Sequence, residues 1–232
     1  MNPSPAAPVT MHVLAIGIDA YLDQPLGGCV SDVEDLLLFL RECKGLPALS
    51  VNTLLAKAGV DSSAPQLPTH KNIVDALRKL SGAVRPGDRA LVYYSGHGSY
   101  QKMPGGDTCF DGLVPLDHQS EGLIFDIELN LLLQDIADKS GDLTVIMDCC
   151  RAAGVTRSVE KLRCLPLYDG VPECSKEVAA SLLQQARQSR QPDRQDYVQI
   201  LACQGDEAAA ECRLPRQGGV TRGVFTYALL QE

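Results

Sequence analysis

The sequence predicts an α/β domain with a mostly parallel central sheet and helices on both faces. Two observations predict it. Apolar runs suited to buried strands alternate with segments of helical periodicity, and such alternation implies parallel strands joined by crossover helices. The chain has 232 residues, 45% apolar and 22% charged, with a mean hydropathy of −0.04. That is ordinary globular composition, and a domain of this size can bury its own core.

Residues 1–9 carry Pro3, Pro5 and Pro8 and read as a flexible arm. Met11 to Ile18 is an apolar run ending in Gly-Ile, the pattern of a strand buried on both faces. Asp19 to Ser31 reads as a loop. Asp32 to Arg41 spaces Val33, Leu36, Leu37 and Leu40 as a helix, with Asp32 placed to cap it. Ser50 to Leu55 is the second strand. Thr69 to Leu80 is a helix capped by Thr69, with Ile73, Ala76, Leu77 and Leu80 on one face. Arg89 to Ser95 is the third strand, entered through the turn Arg85-Pro-Gly-Asp88. Leu113 to Leu116 is a short extended piece, and Ile127 to Ala137 is a helix with Asp126 as N-cap. Leu143 to Met147 is the fourth strand. Val155 to Asp196 is a polar, proline-interrupted excursion that can hold one helix around Ser175 to Arg187. Val198 to Ala202 is a late strand, and a helix starts at Val224.

Several function classes are disfavoured. A net charge of −8 argues against a nucleic-acid binder. No apolar run reaches the ~20 residues of a bilayer span, so no membrane role is expected. The start of the chain lacks a basic, then apolar, leader. The nine cysteines form no CxxC pair and the four histidines are scattered, so neither a zinc site nor a disulfide scaffold is expected. A reduced, cytoplasmic chain is the expectation. No GxGxxG or GxxxxGK motif follows a strand, which excludes the common nucleotide-binding patterns.

In open parallel sheets, active residues sit beyond the carboxyl ends of strands. After the third strand comes Tyr94-Ser-Gly-His-Gly98, and after the fourth comes Asp148-Cys-Cys-Arg151. A His between glycines is often only a turn residue, and a Cys at a strand end is often only packing. Here His97 and Cys150 end successive strands and lie 53 residues apart, the chain order of caspases. Together they suit a thiolate nucleophile with a proton-transfer partner.

The chain resembles the metacaspases among caspase-fold cysteine peptidases. Gly17-Ile-Asp-Ala-Tyr21 with Leu26-Gly-Gly-Cys-Val-Ser-Asp32, Tyr93-Tyr-Ser-Gly-His-Gly98, Asp111-Gly-Leu-Val-Pro-Leu-Asp117, Asp148-Cys-Cys150 and Gly223-Val-Phe-Thr-Tyr-Ala-Leu229 carry the resemblance, in the family's order. It implies a caspase-like three-layer α/β/α sandwich in one domain. Its parts are a large-subunit-like portion (10–154), a linker (155–196) and a small-subunit-like portion (197–232) that reads as truncated. It implies catalysis by His97 and Cys150, with Cys149 a packing neighbour. The backbone N–H groups of Gly98 and Cys150 are then the oxyanion donors. Asp32 and Asp148, with Ser95, are implied as the pocket for Arg or Lys in a peptide or protein substrate. From position alone, Asp32 also reads as a helix cap and Asp148 as a turn aspartate.

The resemblance also raises calcium, with Asp117 and Asp126 as the matching acids. Ile127 and Arg157 stand where further acids are expected, so the expectation is no cofactor and no calcium requirement. Arg157, Lys161, Arg163, Lys176, Arg187, Arg190 and Arg194 make the linker a candidate for self-cleavage, or else a solvated basic stretch. Arg151-Ala-Ala follows Cys150 where the family often carries His-Ser-Gly. That difference keeps a second reading open, a catalytically inactive caspase-fold scaffold or regulator. A monomer is the expected state.

Overall fold

The computed structural model describes residues 8–57, 59, 64–102, 109–150, 162–165, 180, 181, 184, 196–203, 208–214 and 219–231. The predicted strands appear as β1 (Thr10–Ile18), β2 (Ala48–Ala56), β3 (Arg89–Ser95), β7 (Leu143–Asp148) and β8 (Val198–Leu201). They form one sheet in the order β2-β1-β3-β7-β8, every neighbouring pair parallel. The helices are α1 (Cys29–Glu42), α2 (His70–Ala83), the single turn α3 (His118–Glu121), α4 (Asp126–Ser140) and α5 (Val224–Leu229).

Alternation along the strands sorts the core into two layers. Val13 and Ala15 of β1 pack with Val33, Leu36, Leu37 and Leu40 of α1, and with Phe225 and Leu229 of α5. Leu14 and Ile16 point the other way, into a cluster with Ile73 and Leu77 of α2 and Leu129, Leu133 and Ile136 of α4. Both faces of the sheet are therefore covered, which is why its strands read as near-continuous apolar runs. No helix among the described residues is long and apolar enough to cross a membrane.

Two small antiparallel units extend beyond the predicted elements. β4 (Gly98–Lys102), β5 (Cys109–Leu113) and β6 (Ile124–Phe125) form one, and β9 (Glu211–Leu214) pairs with β10 (Val220–Gly223) in the other. The helix start at Asp32 is corrected: α1 begins at Cys29, with Gly28 at its N-cap. The capping oxygens come from elsewhere in the chain. Asp19 accepts from Cys29 N (2.8 Å) and Val30 N (3.3 Å), and Glu211 accepts from Gly28 N at 2.7 Å. Asp32 is left fully buried in the first turn. Asp126 is likewise the first residue of α4 rather than its N-cap, which is Phe125. Thr69 caps α2 as predicted, accepting from Asn72 N at 3.2 Å. Most of the helix predicted around 175–187 lies outside the described residues, as does Arg157.

Candidate active site

The register that pairs Ser95 of β3 with Asp148 of β7 puts the two predicted motifs side by side. Gly96 N reaches Asp148 O across the strand ends. His97 and Cys150 thus leave adjacent parallel strands at the sheet's carboxyl edge, and both are buried.

His97 is held on several sides. Its backbone N–H donates to the Tyr21 hydroxyl (3.1 Å), its carbonyl accepts from Tyr94 (2.7 Å), and its ring lies 4.6 Å from that of Tyr21. Nε2 lies 2.8 Å from the Gln24 carbonyl oxygen. A carbonyl only accepts, so Nε2 carries the proton and Nδ1 keeps its lone pair. Nδ1 is buried with no hydrogen-bond partner among the described residues, although the Arg163 backbone lies close enough to act on the ring. Burial lowers the His97 pKa to about 4, with the Arg163 charge also lowering it and the Gln24 contact opposing the shift. The imidazole is neutral at neutral pH, with one basic nitrogen available.

Cys150 is not bonded to that nitrogen. Its Sγ accepts from Ala209 N (3.1 Å) and donates to Ala209 O (3.4 Å). Contacts with the Cys164 and Cys203 thiols, and then burial, raise its pKa. Cys149 belongs to the large core cluster instead. Gly98 sits so close to the Cys150 carbonyl that a Cβ would overlap it. The need for glycine there comes from the neighbouring strand end, and β4 starts at this residue.

The predicted pocket residues converge. Ser95, Asp32 and Asp148 are all fully buried, and the Ser95 hydroxyl donates to Asp32 Oδ2 at 3.1 Å. Gly223 N donates to Asp32, and Thr226 donates to Asp148 from its backbone (3.2 Å) and its hydroxyl (2.5 Å). The start of α5 therefore supplies donors that hold both acids. Burial raises the Asp32 pKa to about 6, with the Arg163 charge pulling against that rise.

The space between these acids is filled by the chain's own Arg163, itself fully buried. Its guanidinium reaches Asp32 (2.5 Å), Asp148 (2.7 Å), Ser95 Oγ (2.8 Å) and Glu211 (3.4 Å). Its carbonyl oxygen accepts from both Gly98 N and Cys150 N at 3.1 Å. Its N–H donates to Ala209 O at 2.9 Å, and Leu165 N donates to Gly98 O at 3.0 Å. Leu162 and Cys164 form single bridges to Ala210 and Gly98. Residues 162–165 thus lie between Gly98, at the start of β4, and Ala209–Ala210, just before β9, with main-chain bonds to both sides as in a bound peptide.

The metacaspase, peptidase C14 domain family matches residues 12–158. The chain belongs to the metacaspase family. It is 34% identical over 149 residues to metacaspase-2 of Trypanosoma brucei brucei, covering 63% of this chain and 42% of that protein. It is 34% identical over 134 residues to metacaspase-3 of Arabidopsis thaliana, covering 56% and 36%. It is 32% identical over 147 residues to metacaspase-1 of Schizosaccharomyces pombe, covering 61% and 33%. The matches span well under half of these relatives. A crystal structure of a Geobacter sulfurreducens protein superposes with a TM-score of 0.63 at 20% identity, covering 96% of this chain and 81% of that one. That likeness concerns the α/β fold alone.

The acids matched to the metacaspase calcium site each accept a backbone N–H. Asp117 accepts from His70 N at 2.7 Å, and Asp126 accepts from Ile127 N at 2.8 Å. Among the described residues, the one group of three His, Cys, Asp or Glu ligand atoms lies elsewhere, at Asp19, Cys29 and Glu211. Asp19 and Glu211 there already accept from the backbone N–H groups at the start of α1.

Sequence reasoning missed Glu211, Gln24 and Ala209. Glu211 lies on the unpredicted β9, and the other two act through backbone atoms that any residue type supplies. Arg163 was one of seven linker cations with nothing local to single it out.

Proposed function

We propose that this metacaspase is a cysteine endopeptidase that cuts after arginine or lysine, and that it cuts its own chain between Arg163 and Cys164. One observation carries the reading. A basic side chain lies on Asp32, Asp148 and Glu211 while the carbonyl of the same residue accepts from Gly98 N and Cys150 N. This is how a substrate would present its bond. The acids select a cation, because leaving desolvated carboxylates unpaired costs on the order of 2–5 kcal/mol.

Cys150 is the nucleophile. Its Sγ must leave the Ala209 backbone and attack the Arg163 carbonyl carbon. His97 Nδ1, neutral and unpartnered, takes the thiol proton. The lowered His97 pKa and the raised Cys150 pKa mean that no thiolate–imidazolium pair stands ready, so the proton moves with the attack. The developing oxyanion stays on Gly98 N and Cys150 N. His97 then protonates the leaving amine of Cys164, and water hydrolyses the thioester on Cys150. Clearing Arg163 from the pocket opens it to peptide and protein substrates.

A thiol that rests on Ala209 rather than on His97 favours the second reading, an inactive scaffold in which Arg163 permanently fills the pocket. Mass spectrometry of the incubated chain separates the two. The peptidase reading expects fragments ending at Arg163 and starting at Cys164, absent from Cys150→Ala, with a peptide library cut after Arg or Lys. An intact chain that also fails to react with an arginine-ended thiol probe overturns it, as does cleavage after acidic residues.

A further inference from the structure

The residue that follows the proposed cut is itself a cysteine, and its thiol meets the nucleophile. Cys150 and Cys203 share one buried cluster, and Cys164 packs against it. The neighbouring thiols shift each other: Cys164 and Cys203 raise the pKa of Cys150, and Cys150 lowers that of Cys164. The backbone on both sides of Cys164 is pinned. Arg163 O is held by Gly98 N and Cys150 N, Leu165 N donates to Gly98 O, and Ser99 Oγ donates to Leu165 O at 2.7 Å. Cys164 is therefore held against the cluster that contains Cys150 by fixed backbone on either side.

We propose that Cys150 and Cys164 are an oxidative modification site, joined by a peroxide into a disulfide that locks Arg163 into the acidic pocket. The order of events follows from access. Cys164 is partly exposed, whereas Cys150 and Cys203 are buried. Cys150 lowers its pKa, giving it the greater thiolate character. Cys164 Sγ attacks the peroxide, whose O–O bond breaks, and becomes a sulfenic acid while the peroxide is reduced to water or an alcohol. Cys150 Sγ then attacks the Cys164 sulfur. The S–O bond breaks, the Cys150 thiol proton leaves with the hydroxyl as water, and the S–S bond forms. Cys203 is the less suited partner, because it is buried and its thiol donates to Cys149 O at 3.5 Å.

The bond itself needs only the two thiols. Its consequence, a reversible block of cleavage, rests on the peptidase reading. The test is mild hydrogen peroxide on the native chain and on His97→Ala, which keeps both thiols without self-cleavage. Peptide mapping without reductant is expected to show the Cys150 peptide joined to the Cys164 peptide, lighter by two hydrogens. Activity on an arginine substrate is expected to be lost completely and restored by a thiol reductant. In Cys164→Ser, which lacks the thiol that reacts first, the same dose is expected to form no link and to leave most activity in place, with little loss for a reductant to recover. A Cys150–Cys203 link, no link in either chain, or equal recovery in Cys164→Ser overturns the proposal. The expected link in a chain that never hydrolyses a substrate upholds the modification site and overturns the peptidase reading alone.

Discussion

Arg163→Gln, made in the non-cleaving Cys150→Ala chain, removes a cation from between three carboxylates. The distances are 2.5, 2.7 and 3.4 Å, and none of these side chains is more than 1% exposed. Removing one partner of a buried ion pair typically costs about 3–5 kcal/mol. The acids here keep other donors: Gly223 N on Asp32, Thr226 on Asp148, and Gly27 and Gly28 N on Glu211. The pairing is also imperfect, since Arg163 Nε and Asp148 Oδ1 have no partner among the described residues. The lower end applies, about 3 kcal/mol, or roughly 6–12 °C in melting temperature for a chain of this size. The vacated pocket should accept a free alkylguanidine such as agmatine. At 100 times its Kd, the ligand returns about 2.7 kcal/mol. Thermal unfolding with and without agmatine reads both effects. A variant that melts with its parent, or that gains no more from agmatine than its parent, refutes the account of the pocket.

Cys150→Ala should abolish hydrolysis, whereas Cys149→Ala should retain much of it, because Cys149 packs in the core away from the Ala209 contact; equal loss in two folded variants would mean the wrong sulfur. The buried pair His97 and Asp32 should carry opposite pH signatures. His97 titrates near 4 in the fold against 6.5 in the unfolded chain, so its stabilisation is present above 6.5 and is lost as pH falls through 4. Asp32 titrates near 6 against 3.8, so its contribution is present below 3.8 and lost as pH rises through 6. In urea unfolding of the Cys150→Ala chain, the stability gap to a His97→Gln version should widen by about 3 kcal/mol between pH 4 and 7. The gap to an Asp32→Asn version should narrow by about 2 kcal/mol from pH 4 to 6, and parallel slopes would contradict both assignments. Activity should survive chelation of calcium, since Asp117 and Asp126 are taken up by backbone donors; full loss in EGTA with recovery in Ca²⁺ would count against this.

The sheet, its helices and the His97–Cys150 strand ends were legible in the residues alone. Each depends on local periodicity or on a short motif at a strand terminus. Asp32 and Asp148 were paired only through the family resemblance, and from position alone Asp32 read as a helix cap. That role fell to Asp19 and Glu211, which reach α1 through the fold and free Asp32 to face the pocket. Only the tertiary structure shows that Arg163, the linker cation among the described residues, meets these acids. Arg163, Lys161 and Arg187 are alike in sequence, because a basic residue in a polar stretch carries no record of what it meets. The placement of Arg163 needs Gly98 and Ala209–Ala210 to grip residues 162–165, and those positions present backbone N–H and C=O groups. Such groups are the same at every residue, so their partners emerge only when distant strands have been brought side by side.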